Sequence, residues 1–265
     1  MLKQLLPLIV VGVAIWLCCT QYALWGGLLL VAMGVFMYFK RYTGFCISMA
    51  MRYYGISDIK TAFRWFEKAE KRGMNPKQKI TYAYYLMREG RVEKSENILN
   101  AVLAFKLAPE LKYPAKSNHA ILMMKTGRMA EAQEELEEIF PTYRNTNVYG
   151  TLGYLYIMGN DMEKAKAFNL EAYDFNSENA VILDNMVQLY TKLGDYDEAY
   201  RYACELMEQK PIFIEAYYNV AVVEKELGKI DDAKAHLEHA LTIRPTFLTT
   251  VSHEEVQKLL DSLAA

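Results

Sequence analysis

An all-α stack of about six helix pairs, set behind a hairpin of two apolar helices, is the fold class this sequence predicts. Three observations predict it. A short turn motif occurs five times along the chain. A small residue recurs at Ala62, Ser95, Ala132, Ala165, Ala199 and Ala233, at intervals of 33, 37, 33, 34 and 34. Ahead of these, residues 5–20 and 22–39 form two uncharged runs of 16 and 18 residues.

The apolar runs come first. Together they are too long for one helix crossing a hydrocarbon core of about 30 Å, for which ~20 residues suffice. Each run alone is slightly short, so a hairpin fits best, turning near Thr20 and Gln21 with Gly26 and Gly27 close by. Trp16, Tyr22 and Trp25 then fall at the hairpin end and Tyr38 and Tyr42 at the other, where interfacial aromatics concentrate. Lys3, Lys40 and Arg41 share one side, which the positive-inside rule makes cytoplasmic. The alternative is a cleaved signal peptide made of the first run. It leaves the second apolar run exposed after cleavage, and no small residue precedes Cys18 and Cys19 as a lipoprotein site requires. The predicted hairpin is residues 1–42. Phe45, Ile47 and Met49, which follow at once, are expected at the bilayer interface.

Residues 1–42 hold three basic and no acidic residues, leaving 27 basic against 32 acidic in the remainder. That mildly acidic balance opposes a nucleic-acid backbone as the main partner. Cys46 and Cys204 are isolated and no CxxC pair exists, so zinc-ribbon and thioredoxin-like readings have no support.

The turn motif is clearest at Lys192-Leu-Gly-Asp-Tyr-Asp-Glu-Ala199 and returns as Glu226-Leu-Gly-Lys-Ile-Asp-Asp-Ala233, Lys125-Thr-Gly-Arg-Met-Ala-Glu-Ala132 and Arg88-Glu-Gly-Arg-Val-Glu-Lys-Ser95. A version one residue longer runs Met158-Gly-Asn-Asp-Met-Glu-Lys-Ala165. The glycine, an apolar residue and the final small residue persist; the carboxylates do not, since Asp195 becomes Lys229 or Arg128. The acids are therefore first-turn helix residues, favourable at the positive end of the helix dipole, rather than metal ligands or a catalytic pair. The glycine is placed to end one helix in a left-handed cap.

A period near 34 with two helical patterns per unit resembles the tetratricopeptide repeat. The resemblance covers residues 43–247, with repeats one to six starting at 43, 76, 113, 146, 180 and 214; the interval of 37 marks a three-residue insertion around residues 109–112. Leu152, Gly153 and Tyr156, Met186, Val187 and Tyr190, and Val220 and Ala221 fall on the family's packing positions in the first helix of their repeats, helix A. Ala165, Ala172, Ala199, Ala233, Leu237 and Ala240 do so in the second, helix B, and Pro211 and Pro245 stand where the family closes a repeat. The resemblance implies a right-handed solenoid in which each pair buries its apolar face only against its neighbours. Ser252-His-Glu-Glu255 is a capping box opening a terminal helix that covers the last repeat, within residues 248–265.

The resemblance also implies that helix A lines a concave groove and that its sixth residue hydrogen-bonds a bound peptide. That position reads Ser48, Thr81, Asn118, Thr151, Asn185 and Asn219. An amide offers donor and acceptor together, which suits main-chain groups whatever their sequence. Three residues on stand Met51, Tyr84, Ile121, Tyr154, Gln188 and Val222, a mostly apolar track for ligand side chains. The candidate peptide-binding residues are thus Thr81, Tyr84, Asn118, Ile121, Thr151, Tyr154, Asn185, Gln188 and Asn219. The competing reading is a half-exposed helix face with no ligand. Basic residues beside the asparagines are scarce, with Lys125 and Lys192 further along, so a clamp for acidic C-terminal tails is not expected.

His236 and His239, with Asp232 one turn earlier, have metal-ligand spacing, but they flank the packing residues Leu237 and Ala240 and are expected to face solvent. His119 is expected at a core or edge position, and His253 has no assigned role. No phosphate loop, GxSxG elbow or HExxH motif occurs, so neither enzyme chemistry nor a cofactor is expected. The expected function is a membrane-tethered scaffold recruiting a peptide or protein to the cytoplasmic face, with the lipid bilayer as second partner. The alternative is a structural or assembly subunit of a membrane complex, held through the hairpin or the convex face.

Overall fold

The computed structural model describes residues 10–17, 20, 22–159 and 161–263. Two compact bodies divide the chain, residues 1–78 and 79–265.

In the N-terminal body residues 10–17 are helical, and Thr20 follows with its hydroxyl donating to the Leu17 carbonyl at 2.9 Å. Lys3, Cys18, Cys19 and Gln21 lie outside the described residues. Helix α1 then runs over Ala23–Gly55, so the backbone stays helical from the second apolar run into helix A of repeat one. It bends between Phe36 and Arg41, just ahead of the boundary predicted at residue 42. No proline or glycine stands between Phe39 and Thr43 to end the helix there. Gly26 and Gly27 lie in its first turns.

Among the described residues no single helix is long and apolar enough to cross a membrane. The segments Ala23–Phe36 and Arg41–Gly55, bent by 43°, together have the length and composition to do so. Leu24, Trp25, Leu28, Val31, Val35 and Phe36 are exposed along the first of them. Ile47, placed at the interface by sequence, is instead buried with Cys46 and Ala50, while Phe45 is exposed with its ring edge-on to Trp65.

Helix α2 (Ile59–Arg72) pairs with α1, burying Ala62, Phe63, Phe66 and Ala69. Its N-cap is Asp58, whose carboxylate accepts from the Thr61 amide at 3.0 Å. The turn before it is unusual. Four later repeats place a glycine five residues before their small residue, at Gly90, Gly127, Gly194 and Gly228, with φ between +69° and +86°. Repeat one has Ser57 there, with φ of 62°. A left-handed non-glycine residue costs about 1–2 kcal/mol. Ser57→Gly is therefore expected to stabilise the chain by about 1 kcal/mol, read as a higher urea midpoint; an unchanged or lower midpoint would mean the serine side chain offsets its strain.

The C-terminal body is a succession of helix pairs: α3 (Pro76–Arg88) with α4 (Val92–Leu103), α5 (Pro109–Lys125) with α6 (Met129–Ile139), and α7 (Thr146–Met158) with α8 (Met162–Phe175). These are followed by α9 (Ala180–Leu193) with α10 (Tyr196–Glu208), α11 (Ile214–Glu226) with α12 (Ile230–Thr242), and the terminal α13 (His253–Ser262). The predicted insertion has a simple form. It adds a turn to the start of α5, which opens with Pro109 at its N-terminus and carries Pro114 inside.

Every small residue of the period is fully buried. Six positions without bulk allow helix B to approach helix A, and large apolar side chains fill the spaces between pairs. Leu136, Leu152, Ile157, Met186, Leu206, Val220 and Leu237 belong to one core running from repeat three to α13. Ser95 keeps its hydroxyl satisfied by donating to the Ala83 carbonyl at 2.7 Å. The lengthened turn of repeat four departs from the glycine rule: Gly159 has φ of −75° and continues the helical conformation.

The repeated acids behave as helix-start residues. Asp195 caps α10, accepting from the Glu198 amide at 3.2 Å, and Glu198 pairs with Arg201. Asp161 caps α8 in the same way.

Candidate functional site

Helices α3, α5, α7, α9 and α11 are the A helices of repeats two to six, and the candidate residues lie along them. The three asparagines do not sit idle. Asn118 Nδ2 donates to the Ile80 carbonyl at 3.4 Å, and Asn185 Nδ2 to the Gly150 carbonyl at 2.8 Å. Asn219 Nδ2 donates to Asp184 Oδ1 at 2.8 Å. In each case the acceptor belongs to the residue just before the candidate position of the preceding repeat. The ladder thus ties one helix A to the next. A helical carbonyl has a second lone pair, so it accepts this bond without giving up its own helix.

Asn185 is buried, whereas Thr81, Tyr84, Asn118, Ile121, Thr151, Tyr154, Gln188 and Asn219 are half-buried. Gln188 also turns inward, its Nε2 donating to Asp184 Oδ2 at 2.8 Å. Asp184 therefore sits between two amides, 5 % exposed, in an otherwise apolar stretch of α9. Burial pushes its carboxyl up to about 7 against the opposing hydrogen bonds from Asn219 and Gln188, with Glu215 adding to the rise. Burial, then Glu215 and Asp184, likewise raise the Tyr154 phenol. Sequence reasoning missed Asp184, although a lone acid inside "AVILDNMV" was the available signal.

A second feature gave no periodic signal. Between α12 and α13, residues 243–252 leave the helical pattern and cross to repeats two and three before returning to repeat six. Arg244 donates to Glu89 through both terminal guanidinium nitrogens, Nη2 at 2.5 Å and Nη1 at 3.2 Å. The Phe247 amide donates to the Arg88 carbonyl at 2.9 Å. Phe247 and Leu248 pack on the buried cluster of Ala83, Met87, Leu99 and Leu122, as do the candidate residues Tyr84 and Ile121. Lys125 Nζ donates to the Thr249 carbonyl at 2.9 Å, and burial lowers the pKa of that ammonium. The Thr250 amide and hydroxyl both donate to Glu215 Oε1. His253 Nε2, to which sequence assigned no role, lies 2.9 Å from the Ile243 carbonyl, at the other side of this excursion. We call residues 243–252 the clasp. The capping helix predicted within 248–265 begins only at His253, behind the capping box of Ser252 and Glu255.

The other histidines are also engaged. His236 Nδ1 lies 2.8 Å from Glu224 Oε2, a carboxylate of the buried face of α11, and His239 packs its ring 4.4 Å from that of Tyr217. His239 is exposed, as expected from its place beside Ala240, whereas His236 is half-buried because Glu224 reaches across to its ring. His119 pairs with Glu135 at 2.7 Å at a half-buried edge. Lys192 Nζ donates to the Ile157 carbonyl at 3.1 Å. Among the described residues no group of three or more His, Cys, Asp or Glu is placed to hold a metal ion.

With helix pairs, turn glycines and buried small residues in place, the match to known families is specific: residues 180–213 and 214–247 each fit the model of the tetratricopeptide repeat. Those two units match the tetratricopeptide repeat. A TPR repeat-containing protein of Methanocaldococcus jannaschii is 28% identical over 159 residues, which is 59% of this chain and 27% of that protein. The chain thus spans about a quarter of this curated relative. A thermophilic TPR protein of Thermus thermophilus superposes with a TM-score of 0.58 at 17% identity, over 72% of this chain and 99% of the other. A chain of an APC/C hetero-tetramer does so with a TM-score of 0.64 at 16% identity, over 83% of this chain and 42% of its own. These likenesses show a TPR-like helical solenoid.

Proposed function

We propose that this chain is a membrane-tethered TPR scaffold whose helix-A face takes an extended peptide segment of a partner protein. The observation that carries the reading is the clasp: this face already holds non-helical main chain, through the Arg88 carbonyl and the Lys125 ammonium. Thr81, Tyr84, Asn118, Ile121, Thr151, Tyr154, Asn185, Gln188 and Asn219 line the proposed track. Asn118, Asn185 and Asn219 serve it as fixed rungs rather than free amides, and the half-buried Thr151 and Tyr154 offer the open part. The exposed apolar side chains of α1 support the tether, and under the positive-inside rule the basic residues Lys3, Lys40 and Arg41 of the sequence support a cytoplasmic location for the repeats.

A photo-crosslinking residue at Tyr154 of the full-length chain tests this, with a control at the exposed Glu163 of α8. A discrete adduct from position 154, in membranes that keep the chain through alkaline carbonate washing, is expected. An adduct from 163 alone would move the interface to the helix-B side and support a structural subunit instead. Release of the chain by carbonate would remove the tether.

A further inference from the structure

We propose that the clasp is the groove's own ligand, and that the partner it stands in for is a non-helical segment that turns at a Phe-Leu pair and carries an arginine three residues before the phenylalanine. This rests on the peptide-groove reading and specifies its ligand. Each part of the clasp has a counterpart built for it. Arg244 meets Glu89, whose side chain is only 14% exposed and so presents a poorly solvated carboxylate. Phe247 passes beside Gly90, where a side-chain carbon would stand 3.9 Å from its Cβ, and enters the apolar cluster beside Leu248. Two main-chain bonds fix the segment's direction, from the Phe247 amide to Arg88 and from Lys125 to the Thr249 carbonyl. Internal bonds shape the segment further: the Thr246 amide donates to Thr249 Oγ1 at 3.0 Å and the Leu248 amide to Thr246 Oγ1 at 3.2 Å.

These contacts are not needed to close a repeat. Pro245 already ends the sixth unit, and α13 covers it with an apolar face carrying Val256, Leu259 and Leu260. A path straight from α12 to α13 would not require residues 244–250 to reach repeat two. The excursion places a cation on a complementary acid and, at the turn closed by the Thr249 amide donating to the Thr246 carbonyl at 3.0 Å, an aromatic and a leucine on an apolar cluster, a pairing of charge and apolar anchors that suits ligand recognition. Tethered at a local concentration on the order of millimolar, the clasp competes with any segment of the same kind arriving from outside. A partner of tens of micromolar intrinsic affinity would have its apparent affinity reduced roughly 10–100-fold.

The test uses the full-length chain and a fluorescent peptide of the clasp sequence, Ile-Arg-Pro-Thr-Phe-Leu-Thr-Thr-Val. A variant carrying Arg244→Ala and Phe247→Ala frees the groove while leaving the lining untouched. It is expected to bind the peptide at least tenfold more tightly than the unaltered chain. Adding Glu89→Arg should abolish that binding and restore it for a peptide with glutamate in place of its arginine, an exchange no general loosening of the fold would produce. Equal binding by the clasp variant and the unaltered chain, with both still melting cooperatively, would overturn the proposal. So would a clasp variant that turns from dimer to monomer, because the segment would then serve a second copy. If the Tyr154 adduct forms equally in both chains, the clasp proposal fails while the groove reading stands. Loss of both peptide binding and adduct would end both.

Discussion

Gly153→Ala is expected to lower the melting temperature of the full-length chain by roughly 6–12 °C, the equivalent of ~3 kcal/mol in a body of this size. A Cβ at this position of α7 would stand 2.3 Å from Asn169 Oδ1, 3.1 Å from Asn169 Cγ and 3.0 Å from Asn185 Nδ2. Neither amide has an easy escape. Asn169 is fully buried, with Nδ2 donating to the carbonyls of Gly153 and Ala165 at 3.2 and 2.8 Å. Asn185 is held by Gly150. The methyl group must therefore part α7 from α8 or break a rung of the ladder. Circular dichroism melting measures the loss, and a fall below 2 °C would mean the helices separate cheaply. Asn169→Ala in the same chain should restore part of it, since the two sites touch and their effects cannot be additive.

The second large effect concerns Asp184. Its carboxyl titrates near 7 in the folded chain and near the ordinary value of 3.8 when unfolded. The folded state thus keeps a proton that the unfolded chain has released. The stability tied to that proton is complete below pH ~4 and is lost as pH rises through about 7, an amount of order 4 kcal/mol. Asp184→Asn removes the titration and keeps an acceptor for one amide, while Asn219 or Gln188 turns its oxygen to the new NH2 group. The variant is expected to match the unaltered chain below pH ~4 and to exceed it by a few kcal/mol at pH 8, read from urea unfolding at the two values. Parallel stability profiles across that range would show that the carboxylate is already compensated.

The repeat framework was legible because its rule is local. A helix crossing that needs a small residue takes alanine or serine, and a left-handed turn takes glycine, so Ala132, Ala199, Gly127 and Gly194 mark the phase in one sequence. The role of the asparagines was not legible. Whether such an amide meets a ligand or an acceptor on the neighbouring helix depends on the spacing between successive A helices, which no single repeat encodes. The clasp was hidden for a related reason: Arg244 and Glu89 stand 155 residues apart, and "IRPTFLTTV" has neither helical period nor repeat phase. The helical continuity of α1 was legible in the absence of proline or glycine between Phe39 and Thr43, whereas its bend between Phe36 and Arg41 has no marker in the sequence.

Stacked repeats ordinarily behave as a line of coupled elements, each sensing its neighbours, with the outermost ones free to fray. The contacts of residues 244–250 change that boundary condition for repeats two to six. The last repeat answers to the second as well as to the fifth, so a line becomes a loop. Damage in α3 should then be felt in α11 and α12 as readily as in α4, and amide exchange in the end repeats should slow to the pace of the middle ones.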